Sequence, residues 1–83
     1  MKYNEIKAAT DPAAEALWNQ LSESEKLCLQ GEGAGFDKET GKVYILLSFL
    51  DTLDGSEIAA KKWHNQSIQG IVIRAEVRPA ARF

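Results

Sequence analysis

From Ala14 to Leu21 the apolar residues fall at Ala14, Leu17, Trp18 and Leu21, the i, i+3, i+4, i+7 spacing of a helix with one buried stripe. Asp11 suits the cap of such a helix, Pro12 its first turn, and Glu15 its positive end. The pattern therefore predicts a helix opening at Asp11, with residues 1–10 as an N-terminal arm that shows no period. Ser22 and Glu25 have the spacing of a capping box and mark either a second cap or the end of that helix.

The rhythm then changes to two. Leu27 and Leu29 alternate with Lys26, Cys28 and Gln30, "DKETG" supplies turn chemistry, and "KVYILLSFL" reads as a second strand. Val43, Ile45, Leu47 and Phe49 point one way; Tyr44, Leu46 and Leu50 point the other, with Ser48 the one polar residue there. A strand apolar on both faces is expected to be central or covered on both sides, and the first helix is the expected cover for Tyr44, Leu46 and Leu50. A second helix follows in "DTLDGSEIAAKKWHNQ", capped by Asp54 with Glu57 and turning Ile58, Ala59 and Trp63 inward. In the last strand Ile71, Ile73, Ala75 and Val77 face the core while Arg74, Glu76 and Arg78 share the other side. Pro79 ends it, leaving 80–83 as a C-terminal tail. The order α-β-β-α-β predicts a single α+β domain over residues 1–83, its three-stranded sheet covered by helices, with parallel and all-antiparallel strand orders both open.

A chain of 83 residues fits one domain, and a hydrophobic content of 45% argues against disorder. No run of 18 apolar residues suggests a membrane span, and "MKYNEIKAAT" lacks the apolar core of a signal peptide, so a cytoplasmic protein is expected. The single Cys28 agrees with a reducing compartment. A net charge of −2 weighs against a sequence-independent nucleic-acid binder, which needs a surplus of Lys and Arg against phosphate.

The stretch "QGEGAGFDKETGKVYI" raises the question of a phosphate loop. A Walker loop places four residues between Gly and Gly-Lys-Ser/Thr and leads into a helix; here five residues separate Gly35 from Gly41, Val43 replaces the hydroxyl residue, and a strand follows. Phe36 also stands where a dinucleotide fingerprint needs its third glycine. The stretch reads instead as a hairpin whose Gly31, Gly33 and Gly35 leave one strand face bare for Trp18, Trp63 or a partner. Cys28 and His64, the one cysteine and one histidine, lie on different elements without a third member, and Glu32, Asp37 and Glu39 gather around a turn. No catalytic residue, cofactor or metal site is therefore expected, and the chain reads as a non-enzyme.

The row Arg74, Glu76 and Arg78 is expected to pair across the sheet or to form a binding surface, since arginine forks suit carboxylates, with Tyr44 and Leu46 as its apolar centre. From residue 26 to 79 the chain resembles the very small phage-encoded inhibitors of bacterial host RNA polymerase. The likeness lies in Thr52, Leu53 and Asp54 at a helix start, Trp63 at its end, Gly70 before the last strand, and the closing Val77-Arg78-Pro79. It implies a cytoplasmic non-enzyme that wedges against an acidic polymerase surface through its last-strand arginines, with Arg78 matching and Glu76 standing where the family has a second arginine. The expected partner is thus a protein, either bacterial RNA polymerase or another multi-subunit complex. A nucleic-acid regulator using Lys61, Lys62, Arg74 and Arg78 is a second possibility, and an accessory subunit or a homodimer through a strand edge a third.

Overall fold

Ile6, Thr10, Ala13 and Leu17 are spaced i, i+4, i+7, i+11, and all four are buried beneath helix α1, Tyr3–Gln20, in a computed structural model that describes residues 2–80. The helix thus begins within the expected arm and not at Asp11, which pairs with Lys7 at 3.5 Å on the solvent side. Pro12 lies inside the helix. Its missing N–H deprives the Ala8 carbonyl of a helical donor, at a position where both residues are on the exposed side of the helix. The Thr10 hydroxyl donates to the carbonyls of Ile6 (3.1 Å) and Lys7 (3.2 Å), which lets a polar side chain occupy the buried stripe. Trp18 falls off the stripe: it is 44% exposed and carries the Lys26 ammonium 4.7 Å from its ring centroid.

The Ser22–Glu25 pair does form a capping box, and it opens a second short helix, α2, Glu23–Cys28. Residues 26–28 are therefore helical, not strand, and Leu27 points to solvent. Glu25 is buried and serves two elements at once. Its Oε1 accepts the Ser22 N–H at 2.8 Å, and its Oε2 accepts Trp63 Nε1–H at 2.5 Å, with Lys62 Nζ at 3.4 Å. Burial pushes this carboxyl up, but the bonds from Ser22 and Trp63 and the Lys62 charge outweigh it and hold the group below its ordinary value.

Strand β1, Leu29–Asp37, turns through residues 38–41 into β2, Lys42–Leu50, as the hairpin expected. Helix α3, Ser56–Trp63, then crosses to β4, Ile71–Arg78, which runs parallel to β2. Asp54 does not cap α3. Gly55, at φ +91°, takes the cap position with no side-chain bond, and Asp54 offers its backbone carbonyl to Cys28 Sγ–H at 3.5 Å. The buried side of α3 is Ser56, Ala59, Ala60 and Trp63, so Ile58, expected inward, is 76% exposed.

The sheet has four strands, not three. Ser67–Ile68 form β3, joined to β4 by the two-residue turn Gln69-Gly70, both at positive φ (50° and 79°) as a tight hairpin requires. The order is β1-β2-β4-β3, a mixed sheet. All three helices lie over one side of it, where Ile45, Leu47, Phe49 and Ile73 meet Ala13, Leu17, Leu21, Ala59 and Trp63. The face bearing Tyr44, Leu46 and Leu50 has no helix over it, contrary to expectation, because α1 packs on the odd residues of β2. The tail expected at 80–83 lies, beyond Ala80, outside the described residues.

One hydrogen bond sets the phase of the whole sheet. Asp51 N–H donates to the Arg78 carbonyl (3.0 Å), so the backbone N–H and C=O groups of the even residues of β4 point to β2 and those of its odd residues to the β3 side. The same phase turns the even residues of β2 toward β1, where they meet Gly31, Gly33 and Gly35. The N–H and C=O groups of Glu32, Ala34 and Phe36 are left on the outer edge.

Two stability measurements check this account. Phe49→Ala, at a fully buried site, is expected to cost about 4 kcal/mol in urea unfolding. Glu25→Gln is expected to cost about 1–3 kcal/mol at pH 7 by leaving one buried donor poorly paired. Since the folded group titrates below its ordinary value of 4.5, the carboxylate's stabilisation is present above that pH and is lost as pH falls below it. The gap between wild type and Glu25→Gln should therefore narrow toward pH 3, and an unchanged gap would show that the charge is not what Trp63 and Ser22 need.

Candidate functional site

Strand alternation and the β1-β2-β4 register gather the expected surface residues on the helix-free face. Across the sheet, Gly35 lies beside Tyr44 and Tyr44 beside Val72; the next rows are Gly33–Leu46–Arg74 and Gly31–Ser48–Glu76, and Leu50 stands beside Arg78. Arg74, Glu76, Arg78, Tyr44 and Leu46 are thus one contiguous group. Their union depends on the parallel pairing of β2 with β4.

The arginines do not pair with β2, which offers Leu46, Ser48 and Leu50 opposite the charged row. Arg74 instead reaches over β2 to β1: its Nη2–H donates to Asp37 Oδ2 at 2.7 Å, and its guanidinium carbon sits 4.0 Å from the Tyr44 ring centroid. The backbone N–H of Glu39 and then the Arg74 guanidinium hold the Asp37 carboxyl below the usual carboxylate range. Asp37, read from sequence as a solvated turn carboxylate, is in fact the anchor of Arg74. Arg78 Nε lies 2.7 Å from Glu76 Oε1, but its N–H is not aligned for a hydrogen bond, so that buried oxygen keeps an unused lone pair beside the guanidinium.

The glycines have different surroundings. The Tyr44 ring lies across Gly35, so closely that a Cβ there would collide with Cε2, Cζ and the hydroxyl oxygen. Tyr44 is sandwiched between strand backbone and Arg74. Gly31 and Gly33 have nothing within contact distance of a Cβ, and neither Trp18 nor Trp63 covers them, because both belong to helices on the other side. Gln30, Gly31, Ser48, Arg78 and Pro79 line an open depression of 440 Å³ at this end of the face. Gln30 reaches along it, its Nε2 donating to the carbonyls of Arg78 (3.3 Å) and Pro79 (3.1 Å).

Lys61 and Lys62 are not part of this surface. They sit on α3, where Lys62 approaches Glu25 and lies 5.1 Å from the Trp63 ring centroid. Cys28 and His64 also have separate roles: Cys28 is buried against Asp54, whereas His64 Nδ1 accepts the Ala75 N–H at 3.2 Å on the outer side of β4. Among the described residues no three of His, Cys, Asp and Glu come together as a metal-holding group. No described helix is long and apolar enough to cross a membrane.

The fold and face define a small α+β domain with a mixed four-stranded sheet, loaded with helices on one side and open on the other. No protein-family model, curated protein or solved structure matches the chain.

A glycine pair tests the geometry. Gly33→Ala, into open space at an extended backbone, is expected to stabilise the domain by about 0.5–1 kcal/mol. Gly35→Ala must displace the Tyr44 ring from under Arg74 and should destabilise it by about 1–3 kcal/mol. Urea midpoints that move in the same direction would contradict the sandwich.

Proposed function

We propose that the chain is a non-catalytic protein-interaction module of the cytoplasm that binds a larger assembly through its open sheet face. The observation that carries this reading is the makeup of that face. Apolar Tyr44, Leu46 and Val72 stand among two arginines and two carboxylates that are already ordered by one another. Such a surface offers a partner apolar contact, fixed polar groups and little side-chain entropy to lose. Arg78 is the more available cation, 57% exposed and held by a single misaligned contact, so it suits a carboxylate on the partner.

The family resemblance of residues 26–79 supports a regulator or inhibitor of phage or bacterial origin, and bacterial RNA polymerase is the first partner to try. A nucleic-acid reading is weakened by position and pairing: Lys61 and Lys62 stand on the helix layer, and Arg74 and Arg78 each have a carboxylate neighbour.

Tagged wild type, Arg78→Glu and Lys61→Glu proteins, presented to purified bacterial RNA polymerase and to bacterial lysate at two salt concentrations, separate the readings. The protein-contact reading expects a retained complex whose affinity falls about tenfold with Arg78→Glu and is unmoved by Lys61→Glu, at unchanged thermal midpoints. Equal retention by wild type and Arg78→Glu would rule out this face. Nucleic acid retained by wild type at low salt, released at high salt and lost with either substitution would favour the second reading.

A further inference from the structure

The outer edge of β1 is protected only in part: a register shift interrupts it at Leu29/Gly31 and Glu32 sets one carboxylate beside it, but from Gly31 to Asp37 the ladder is regular. The strand runs nine residues, Leu29–Asp37, holds no proline, and no described residue bonds to the outward backbone groups of Glu32, Ala34 or Phe36. The opposite side of the sheet is shielded. There β3 pairs with the start of β4, Asn65 N–H and the Gln66 carbonyl bond to Ile73, and His64 Nδ1 takes the Ala75 N–H.

We propose that the occupant of the β1 edge is a second copy of this chain, paired antiparallel about a two-fold axis at Gly35. The phase of the ladder allows only registers that set even residues opposite even residues, since these carry the outward N–H and C=O groups. With the axis at Gly35, Ala34 of each copy meets Phe36 of the other, a small residue against a large one, and Glu32 comes level with Lys38, the first turn residue beyond β1 of the other copy, whose long side chain can reach it. Moving the axis to Ala34 sets Glu32 against Phe36, and moving it to Gly33 sets Glu32 against Ala34; both lose the charge pair. On the open face the axis at Gly35 sets glycine against glycine and Asp37 against the uncovered Gly33, while the Asp37–Arg74 bond runs inward over β2 and stays within its own copy.

Glu32 and Lys38 are both exposed, and neither forms an ion pair within the described chain. Partial desolvation under α1 pushes the Glu32 carboxyl up, Lys7 draws it down and Asp11 adds to the rise, so an added ammonium beside it is favourable. The product is a continuous eight-strand sheet with all helices on one side. On the other side the two glycine strips lie edge to edge, open at Gly31 and Gly33 and roofed at Gly35 by the Tyr44 ring of each copy. This association goes beyond the open-face reading and is independent of it, since Arg78 and Leu46 stay clear of the seam.

Sedimentation velocity of the untagged chain from about 10 µM to about 1 mM tests it, because association must follow mass action. A dimer is expected, with Lys38→Glu and Glu32→Lys each weakening it about tenfold and the combined swap restoring it. In hydrogen exchange, the amides of Glu32, Ala34 and Phe36 should become protected as concentration rises. A monomer at every concentration overturns the proposal. So does a dimer indifferent to both single reversals, or one the double swap fails to restore.

Discussion

Everything about this domain follows from how β2 is sealed. Ile45, Leu47 and Phe49 have no exposed surface, and each lies under helices that the chain delivers to the same side of the sheet. Burying those three residues supplies roughly 5–8 kcal/mol of transfer free energy, more than any polar contact in the structure. Alternation then leaves no choice: Tyr44, Leu46 and Ser48 must emerge on the far face, as must Arg74 and Glu76 from the parallel neighbour. The open face is the geometric complement of the core.

A sheet face left open still has to limit its apolar exposure, and here it does so with charge. The Arg74 guanidinium covers the Tyr44 ring while Asp37 holds it in place, so an aromatic that would otherwise stand in water is capped by a group that stays hydrated at its rim. On the helix side the buried Glu25 plays the corresponding part. It closes the start of α2 and pins the Trp63 indole with one carboxylate, joining two helices that share little apolar contact. The domain thus keeps its two polar anchors on opposite faces, each placing one aromatic ring.

Much of this was legible in the chain. The capping box at Ser22–Glu25, the turn before Lys42, and the alternation of β2 and β4 are local signals that tertiary context did not overrule. The expected surface row was readable because Arg74, Glu76 and Arg78 share one strand; Tyr44 and Leu46 were expected with it from the outward side of β2, but the strand order that makes them its neighbours is carried by no local pattern. The misses have physical causes. Asp11-Pro12 mimics a helix start, and the true stripe through Thr10 and Ala13 is too weakly apolar to reveal the earlier turns. Leu27 and Leu29 alternate like a strand although Leu27 belongs to the last turn of α2 and only Leu29 to β1. Ile58 is the most apolar residue of α3, yet the inward side follows the spacing Ser56, Ala59, Ala60 and Trp63, which Trp63 sets and which leaves Ile58 outside. The two-residue β3 lies below what periodicity can detect.

The register shift between Leu29 and Gly31 gives Gln30 an importance its side chain does not suggest. Leu29 stands beside Phe49 on the core side, whereas two residues on Gly31 stands beside Ser48 on the open side. Two steps of β1 thus span one step of β2, and Gln30 is the extra residue of a bulge that lets Leu29 and Gly31 reach opposite faces although their numbers share parity. Removing Gln30 would make the ladder regular and still leave Leu29 under the helices and the three glycines on the open face. What would be lost is the bend that frees Gln30 to lay its amide across the end of the sheet, against the Arg78 and Pro79 carbonyls.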